Sequence, residues 1–402
     1  MSGTLRELGF TSCLADPDVY LREATRPDGH QYYEYILVYV DDVLVVSHQA
    51  QLIMDQLGEC YTLKAGSVKV PTEYLGADIK TYSIPSDTTE LPTECWALSS
   101  DTYVKRAIAD VTRTLAEIDQ QLKTKVTTPM AAKYRPELDI TPELDDRRAN
   151  YYQGLIGVLR WMVELGRIDI MVSVTLLSSF LTNPREGHLE QVFHIFAYLK
   201  AHDRSCLVFD HRTPVHDESR FTQADWSGSY PGAEEAIPLN APTPRGNPVD
   251  VMCYVDADHA GCRVTRRSHT GILLYVQNSP VTWFSKRQNT VEASTFGSEF
   301  VAMKTAIEQI ESLRYKLRMM GIPLPGPASV FCDNESVFKS STFPESVLKK
   351  KHNSIAYHRT REAQAAGTVR IAWEPGETNL ADVLTKLLAG PRLRQLIGWI
   401  LF

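Results

Sequence analysis

No apolar run in this chain reaches the length that spans a bilayer. Its opening, Met1-Ser2-Gly3-Thr4-Leu5-Arg6-Glu7, has no signal-peptide core. Cysteine is sparse: seven residues, odd in number and scattered, with no Cys-x-x-Cys pair. That pattern excludes a disulfide framework or a zinc ribbon and implies reduced thiols in an intracellular compartment. The eleven histidines form no His-x-x-x-His pair, and His352 and His358 stand six apart. Internal repeats are absent too.

What is present is ordinary for a globular protein: 402 residues, 43% hydrophobic and 23% charged. The length allows two or three domains with real cores. The net charge of −7 argues at first against a nucleic-acid partner, but it is unevenly spread. From Val251 onwards there are 19 Lys+Arg and 13 Asp+Glu; residues 1–250 carry 23 and 36. The basic C-terminal part fits phosphate contact, although many solvated surfaces show the same balance.

Short strand-like runs and Gly/Pro/Asp turns fill the first 80 residues. A polar loop is expected at 85–92, and Asp101 is placed to cap a helix. Lys133 to Asp146 is rich in proline and charge and suggests a linker. From Tyr151 to His202, apolar residues at helical spacing predict two or three helices, broken near Asn183-Pro184. Pro231, Pro238, Pro242, Pro244 and Pro248 mark a stretch with little periodicity, expected to be a flexible boundary. After it, strands are predicted at Val251–Asp256, Thr270–Val276, Val281–Phe284, Val330–Cys332 and Val369–Trp373. Helices are predicted at Thr295–Met320, after Asp333, at His352–Ala366 and at Leu380–Leu388. That order implies an α/β layer domain.

Two places carry chemistry. In Tyr35-Ile36-Leu37-Val38-Tyr39-Val40-Asp41-Asp42-Val43-Leu44-Val45-Val46, two aspartates interrupt a β-branched run, so two strands joined at Asp41-Asp42 are expected. Adjacent like charges at a buried hairpin apex resist desolvation, and a divalent cation with hard oxygen ligands removes the conflict. A solvated tip with two ordinary turn residues is the alternative. The second place is a set of four acids at predicted element ends: Asp256, Glu299, Asp333 and Asp382. Carboxylates so gathered hold two metal ions about 3.5–4 Å apart for an in-line phosphoryl displacement. Singly, Asp333 and Asp382 read equally well as helix caps and Glu299 as a solvated helix position.

Tyr39-Val40-Asp41-Asp42 between apolar strands resembles the palm hairpin of reverse transcriptases. The C-terminal part resembles the ribonuclease H domain of copia-type LTR retrotransposon Pol polyproteins. The matching segments are Tyr254-Val255-Asp256-Ala257-Asp258-His259-Ala260-Gly261, Arg266-Arg267-Ser268-His269-Thr270-Gly271, Val281 to Gln288, Cys332-Asp333-Asn334 and Ala381-Asp382-Val383-Leu384-Thr385-Lys386. Leu155-Ile156-Gly157, Asn183-Pro184, His188 and Tyr198-Leu199-Lys200 are similar to the family's middle region, and Asp16-Pro17-Asp18-Val19-Tyr20 and Tyr74-Leu75-Gly76 fit around the hairpin. The resemblance spans about residues 5–390, in family order.

The resemblance implies a mixed α+β and α/β chain. Residues 1–130 are a partial reverse transcriptase palm, an antiparallel sheet with helices; 131–230 a helical thumb or connection region; 231–250 a Pro-rich linker; 251–390 a ribonuclease H-like domain with a mixed five-stranded sheet flanked by helices. It further implies metal-dependent hydrolysis of RNA in RNA–DNA hybrids at Asp256, Glu299, Asp333 and Asp382, with two Mg²⁺ ions, or Mn²⁺. Asp41 and Asp42 would be polymerase carboxylates. Arg266, Arg267, Ser285, Lys286, Arg287 and Asn334 would contact nucleic acid, with Lys349-Lys350-Lys351 a second basic cluster.

Upstream Pol segments are the implied partners, with no membrane, in cytoplasmic particles or the nucleus. The family's third polymerase aspartate and its fingers have no counterpart here, so the chain is expected not to extend a primer, with Val38, Val40, Val43 and Val45 partly in a core. The loop 374–379 lacks the histidine often found in ribonucleases H. Two rivals stay open: a non-catalytic remnant of a decayed element, and an unrelated polynucleotidyl transferase on the same fold.

Overall fold

The computed structural model describes residues 1–85, 91–131, 133–348 and 351–402. Most of the loop expected at 85–92 lies outside these, as do Lys349 and Lys350 of the expected lysine cluster. No described helix is long and apolar enough to cross a membrane.

Helix α1 (Ser2–Glu7) leads into strands β1 (Thr11–Cys13), β2 (Asp16–Thr25), β3 (Gln31–Tyr39) and β4 (Asp42–Val46), followed by α2 (Ala50–Cys60). The strands pair antiparallel in chain order. The unbroken apolar run of β3 is explained by cover on both faces. Ile36 packs with Leu5, Phe10, Ile53 and Leu57 on one side. Tyr33 packs with Cys13, Val19, Leu21 and Met319 on the other.

The hairpin departs from expectation. Its loop is Val40-Asp41, because Tyr39 pairs with Asp42. Asp41 and Asp42 are exposed, so the expected desolvation conflict does not arise. Val38, Val43 and Val45 are partly buried, whereas Val40 is 84% exposed. Val40 sits at φ +52°, a left-handed conformation that a two-residue hairpin loop demands and a β-branched residue resists.

A second antiparallel sheet holds β5 (Glu73–Tyr74), β6 (Ala77–Ile84) and β7 (Thr93–Ser99). Then come α3 (Asp101–Ala116), α4 (Asp146–Glu164), α5 (Met171–Ser178) and α6 (Glu186–Ala201), before β8 (Cys206–Phe209) returns to pair with β7. Asp101 does not cap α3: it lies in the first turn, paired with Lys80 at 2.9 Å. The break between α4 and α5 is held by a buried bidentate pair, Arg167 to Asp169 at 2.9 and 2.6 Å. The expected linker at 133–146 is anchored, with Arg185 pairing Glu143 at 2.9 Å.

The proline-rich stretch forms no helix or strand, as expected, but it is tied down rather than loose. Glu235 accepts from Arg314 at 2.7 Å and from Arg318 at 2.6 Å. Arg245 reaches Glu23 and Gln31, each at 2.6 Å.

The third sheet comprises β9 (Val251–Asp258), β10 (His269–Val276) and β11 (Ser279–Arg287). After α7 (Thr295–Met319) come β12 (Ala328–Cys332), α8 (Glu335–Thr342), α9 (Ser354–Ala365) and β13 (Val369–Trp373). A 3-10 segment, Leu380–Leu384, and α10 (Gly390–Ile397) close the chain. Strand order is β11-β10-β9-β12-β13. β10 runs antiparallel to both neighbours, and β12 parallel to both of its own. This is the expected mixed five-stranded sheet. The expected last helix is instead the 3-10 segment plus α10, which starts at Gly390-Pro391, where proline suits a first helical turn.

Side chains alternate between two cores. Cys253, Val255, Ile272, Val330 and Ile371 meet Phe300, Met303, Ile307 and Ile310 of α7. Met252, Leu273, Tyr275, Phe331 and Ala372 join the core of α3, α4 and α6. The middle helices are therefore the second covering layer of this sheet.

Candidate active site

Asp256 lies two residues before the end of β9, β12 delivers Asp333 just past its end, and Glu299 lies one turn into α7. One carboxylate oxygen from each of Asp256, Glu299 and Asp333 lies within 4.8 Å of the others. Asp256 and Glu299 are buried and Asp333 is half-buried. Burial, with the Asp256 and Asp333 charges, pushes Glu299 well above the usual carboxylate range. Burial and Asp256 push Asp333 up to about 6. Asp256 is also raised, chiefly by burial, against the pull of Lys386. Three hard oxygen donors held against their own repulsion are what a divalent ion relieves, so the residues present fit a metal.

The helix-cap alternative fails for two of the acids. Asn334 caps α8, accepting from the Val337 amide at 3.1 Å. Asn379, not Asp382, caps the 3-10 segment, accepting from Ala381 at 3.1 Å. Asp333 and Asp382 are therefore free of that duty.

Asp382 is placed by a seat in the sheet. Asp256, Gly271 and Ser285 lie abreast on β9, β10 and β11, and the 3-10 segment crosses above them. Asn379 donates to the Val255 carbonyl at 3.0 Å, Ser285 to Leu384 at 2.6 Å, and Thr385 to the Asp256 carboxylate. A Cβ on Gly271 would stand 2.6 Å from Thr385 and 2.9 Å from the Ala381 carbonyl. Asp382 is not one of the three clustered acids. It faces Lys386 Nζ at 2.5 Å and Arg392 at 3.5 Å, and its charge acts on both Asp256 and Asp333.

Ser285, expected to touch nucleic acid, is buried. Its hydroxyl hydrogen goes to Leu384, so His269 Nε2, 2.8 Å away, donates to the hydroxyl oxygen. Burial, aided by Arg287, lowers His269 to about 4, which keeps it neutral. Arg266 and Lys286 are exposed, and Arg267 and Arg287 half-buried. Arg267 and Arg287 line a cleft of about 240 Å³ with Arg135, Asp258, Thr385 and Lys386. Asp258 is pushed up to about 6 by burial and Asp256, and its carboxylate occupies the space a side chain at residue 261 would need.

Sequence reasoning assigned no role to Thr385, Lys386, Gly271 or Asn379; Trp373, whose strand context suggests a core position, is 42% exposed and its indole donates to the Asp333 carbonyl at 3.0 Å. The one signal available was Lys386, four residues after Asp382 and so on the same helical face. His358 bonds Tyr230 at 2.8 Å. Asp41 and Asp42 belong to no three-residue ligand group among the described residues. Asp16 and Asp18 precede Val19, which pairs with Leu37 near the hairpin, yet they join no such group either.

No protein-family model matches the chain. It is 26% identical over 388 residues to a retrovirus-related Pol polyprotein from transposon RE1 of Arabidopsis thaliana, covering 96% of this chain and 22% of that one. It is 24% identical over 396 residues to the Pol polyprotein of transposon TNT 1-94 of Nicotiana tabacum, covering 97% and 26%. Among solved structures, ribonuclease H1 of Halobacterium salinarum is 18% identical, covering 34% of this chain and 94% of that one, with TM-score 0.27. The chain is thus similar to transposon Pol polyproteins over nearly its whole length, while spanning only about a fifth to a quarter of theirs.

Proposed function

We propose that this chain hydrolyses RNA in RNA–DNA hybrids at the site built by Asp256, Glu299, Asp333 and Asp382, with Mg²⁺ or Mn²⁺. The observation that carries the reading is the convergence of Asp256, Glu299 and Asp333 within 4.8 Å at the ends of adjacent elements. When bound, a divalent ion supplies a Lewis acid for the phosphoryl oxygen and a more acidic water. Asp256, Glu299 and Asp333 would hold it. Water adds to phosphorus and the bond to the 3′-oxygen breaks, leaving a 5′-phosphate and a 3′-hydroxyl. Arg266, Arg267, Lys286 and Arg287 would hold the duplex through phosphates, with Asn334 beside Asp333. A hybrid is held by backbone shape and 2′-hydroxyls more than by sequence. Neighbouring Pol segments are the partners this reading implies, in a cytoplasmic particle or the nucleus.

The test is cleavage of a labelled hybrid. Wild-type chain should cut the RNA strand only with Mg²⁺ or Mn²⁺. Asp333→Asn should abolish cutting while hybrid binding survives and weakens with salt. Wild-type rates in the mutant would remove this residue from the site. No cutting by the wild type would favour the non-catalytic remnant.

A further inference from the structure

Four acids meet at this site, yet only three share a ligand group. The fourth is turned to a cation that the chain itself provides. Lys386 Nζ lies 2.5 Å from Asp382 and 3.2 Å from Asp256, the acid common to both halves of the site. Arg392 stands 3.5 Å from the other Asp382 oxygen. We propose that the Lys386 ammonium serves as the second cation of this centre, so that the chain binds one divalent ion, at Asp256, Glu299 and Asp333, in place of two. The inference rests on the nuclease reading and narrows it.

Charge balance favours this arrangement. One divalent ion with Lys386 and Arg392 neutralises the four carboxylates. A second ion would leave excess positive charge among groups that are largely buried, where uncompensated charge is costly. The local chain also fixes the lysine: Thr385, immediately before it, is buried and bonded to Asp256. A lysine ammonium is a compact point charge with three donors. Two of its contacts are with Asp256 and Asp382, which leaves capacity for a phosphoryl oxygen. It offers charge and N–H donors, but no coordination position for water.

Counting bound Mn²⁺ by electron paramagnetic resonance, with free chain and no nucleic acid, tests the proposal. Wild type and Lys386→Arg should each take one ion, and Lys386→Met should take two, with the spectral signature of a coupled pair. Two ions in the wild type would overturn it, as would one or none in Lys386→Met. The first ion reports in each variant that the acid cluster is folded. The readout is independent of hydrolysis. A chain that fails to cut hybrids but shows this one-to-two change would defeat the nuclease reading and keep the inference. A chain that cuts with two ions bound would do the opposite.

Discussion

At the scale of single residues, Asp333 and Asp258 hold protons more tightly in the folded chain than their ordinary value of 3.8 would allow, titrating at about 6. The sign follows from linkage. Their contribution to stability is fully present below about pH 4 and is lost as pH rises through about 6. The gap in melting temperature between metal-free wild type and Asp333→Asn should therefore widen from pH 5 to pH 7.5. Asp333→Asn should melt higher than wild type at pH 7.5, by roughly 2 °C per kcal/mol recovered. Added Mg²⁺ should raise the wild type and not the mutant. Differential scanning calorimetry decides it, and a mutant that melts lower would contradict the account.

Thr385→Val removes a hydrogen bond to a buried carboxylate, a loss of about 1.5–3 kcal/mol. It should lower metal affinity, read by titration calorimetry, before it lowers the fraction folded. Asp382 was expected to join the acid cluster and faces Lys386 instead; residues 256, 299 and 333 were legible in the sequence because acids at predicted element ends stand out. Thr385 and Lys386 were not, because their partner Asp256 lies 129 and 130 positions away, and no periodicity reports a contact of that range.

Among the elements, the 3-10 segment over Gly271 is the most exacting fit. Gly271→Ala should lift it, costing about 1–3 kcal/mol by overpacking. Displacing Asp382 and Thr385 by about 1 Å should cost on the order of a hundredfold in cleavage. Near-normal kinetics in that variant would show that the seat does not position the acids. The proline-rich stretch makes a second test. Its Glu235 is held down to about 2 by hydrogen bonds from Arg314 and Arg318, which outweigh burial. Its contribution is present above the ordinary 4.5 and is lost as pH falls through about 2. Glu235→Ala leaves Arg314 buried without its partner, and on the order of 3 kcal/mol should be lost. Hydrogen exchange should then quicken in residues 231–248. Helix α7 was legible from its apolar stripe. β8 was not, because four short residues with no local partner pair with a strand 107 positions earlier, Ser99 with Cys206.

For the molecule as a whole, the expected boundary at 250 separates layers that share a core. The stretch 251–402 expressed alone would expose Met252, Leu273, Tyr275, Phe331 and Ala372 on one sheet face, and it should bind hydrophobic dye and aggregate. Residues 61–402, which keep the second sheet and the helices, should stay more soluble. Equal solubility of the two would mean that the helices are dispensable. The expected polymerase inactivity belongs to this scale as well. Asp41, in the strained loop, and Asp42, which opens β4, lie exposed without a third ligand among the described residues. Primer extension on an RNA template should fail with Mg²⁺ and with Mn²⁺. Extension that vanishes in Asp41→Asn would mean another acid completes the pair, with Asp16 or Asp18 the first to substitute.

The common core also constrains inheritance. When two related chains recombine, a crossover between 210 and 250 joins the helices of one parent to the sheet of the other, so Leu159, Phe196 and Leu199 would meet foreign partners across the seam. A crossover near 61–72, between α2 and β5, leaves that seam intact. The earlier site splits the smaller contact of Tyr33 with Met319, so chimeras made there should stay closer to the parental melting temperature than those made at the later site, which should lose several degrees. In diverging lineages, the helices and the sheet would then travel as one heritable block, whatever happens to the hairpin before them.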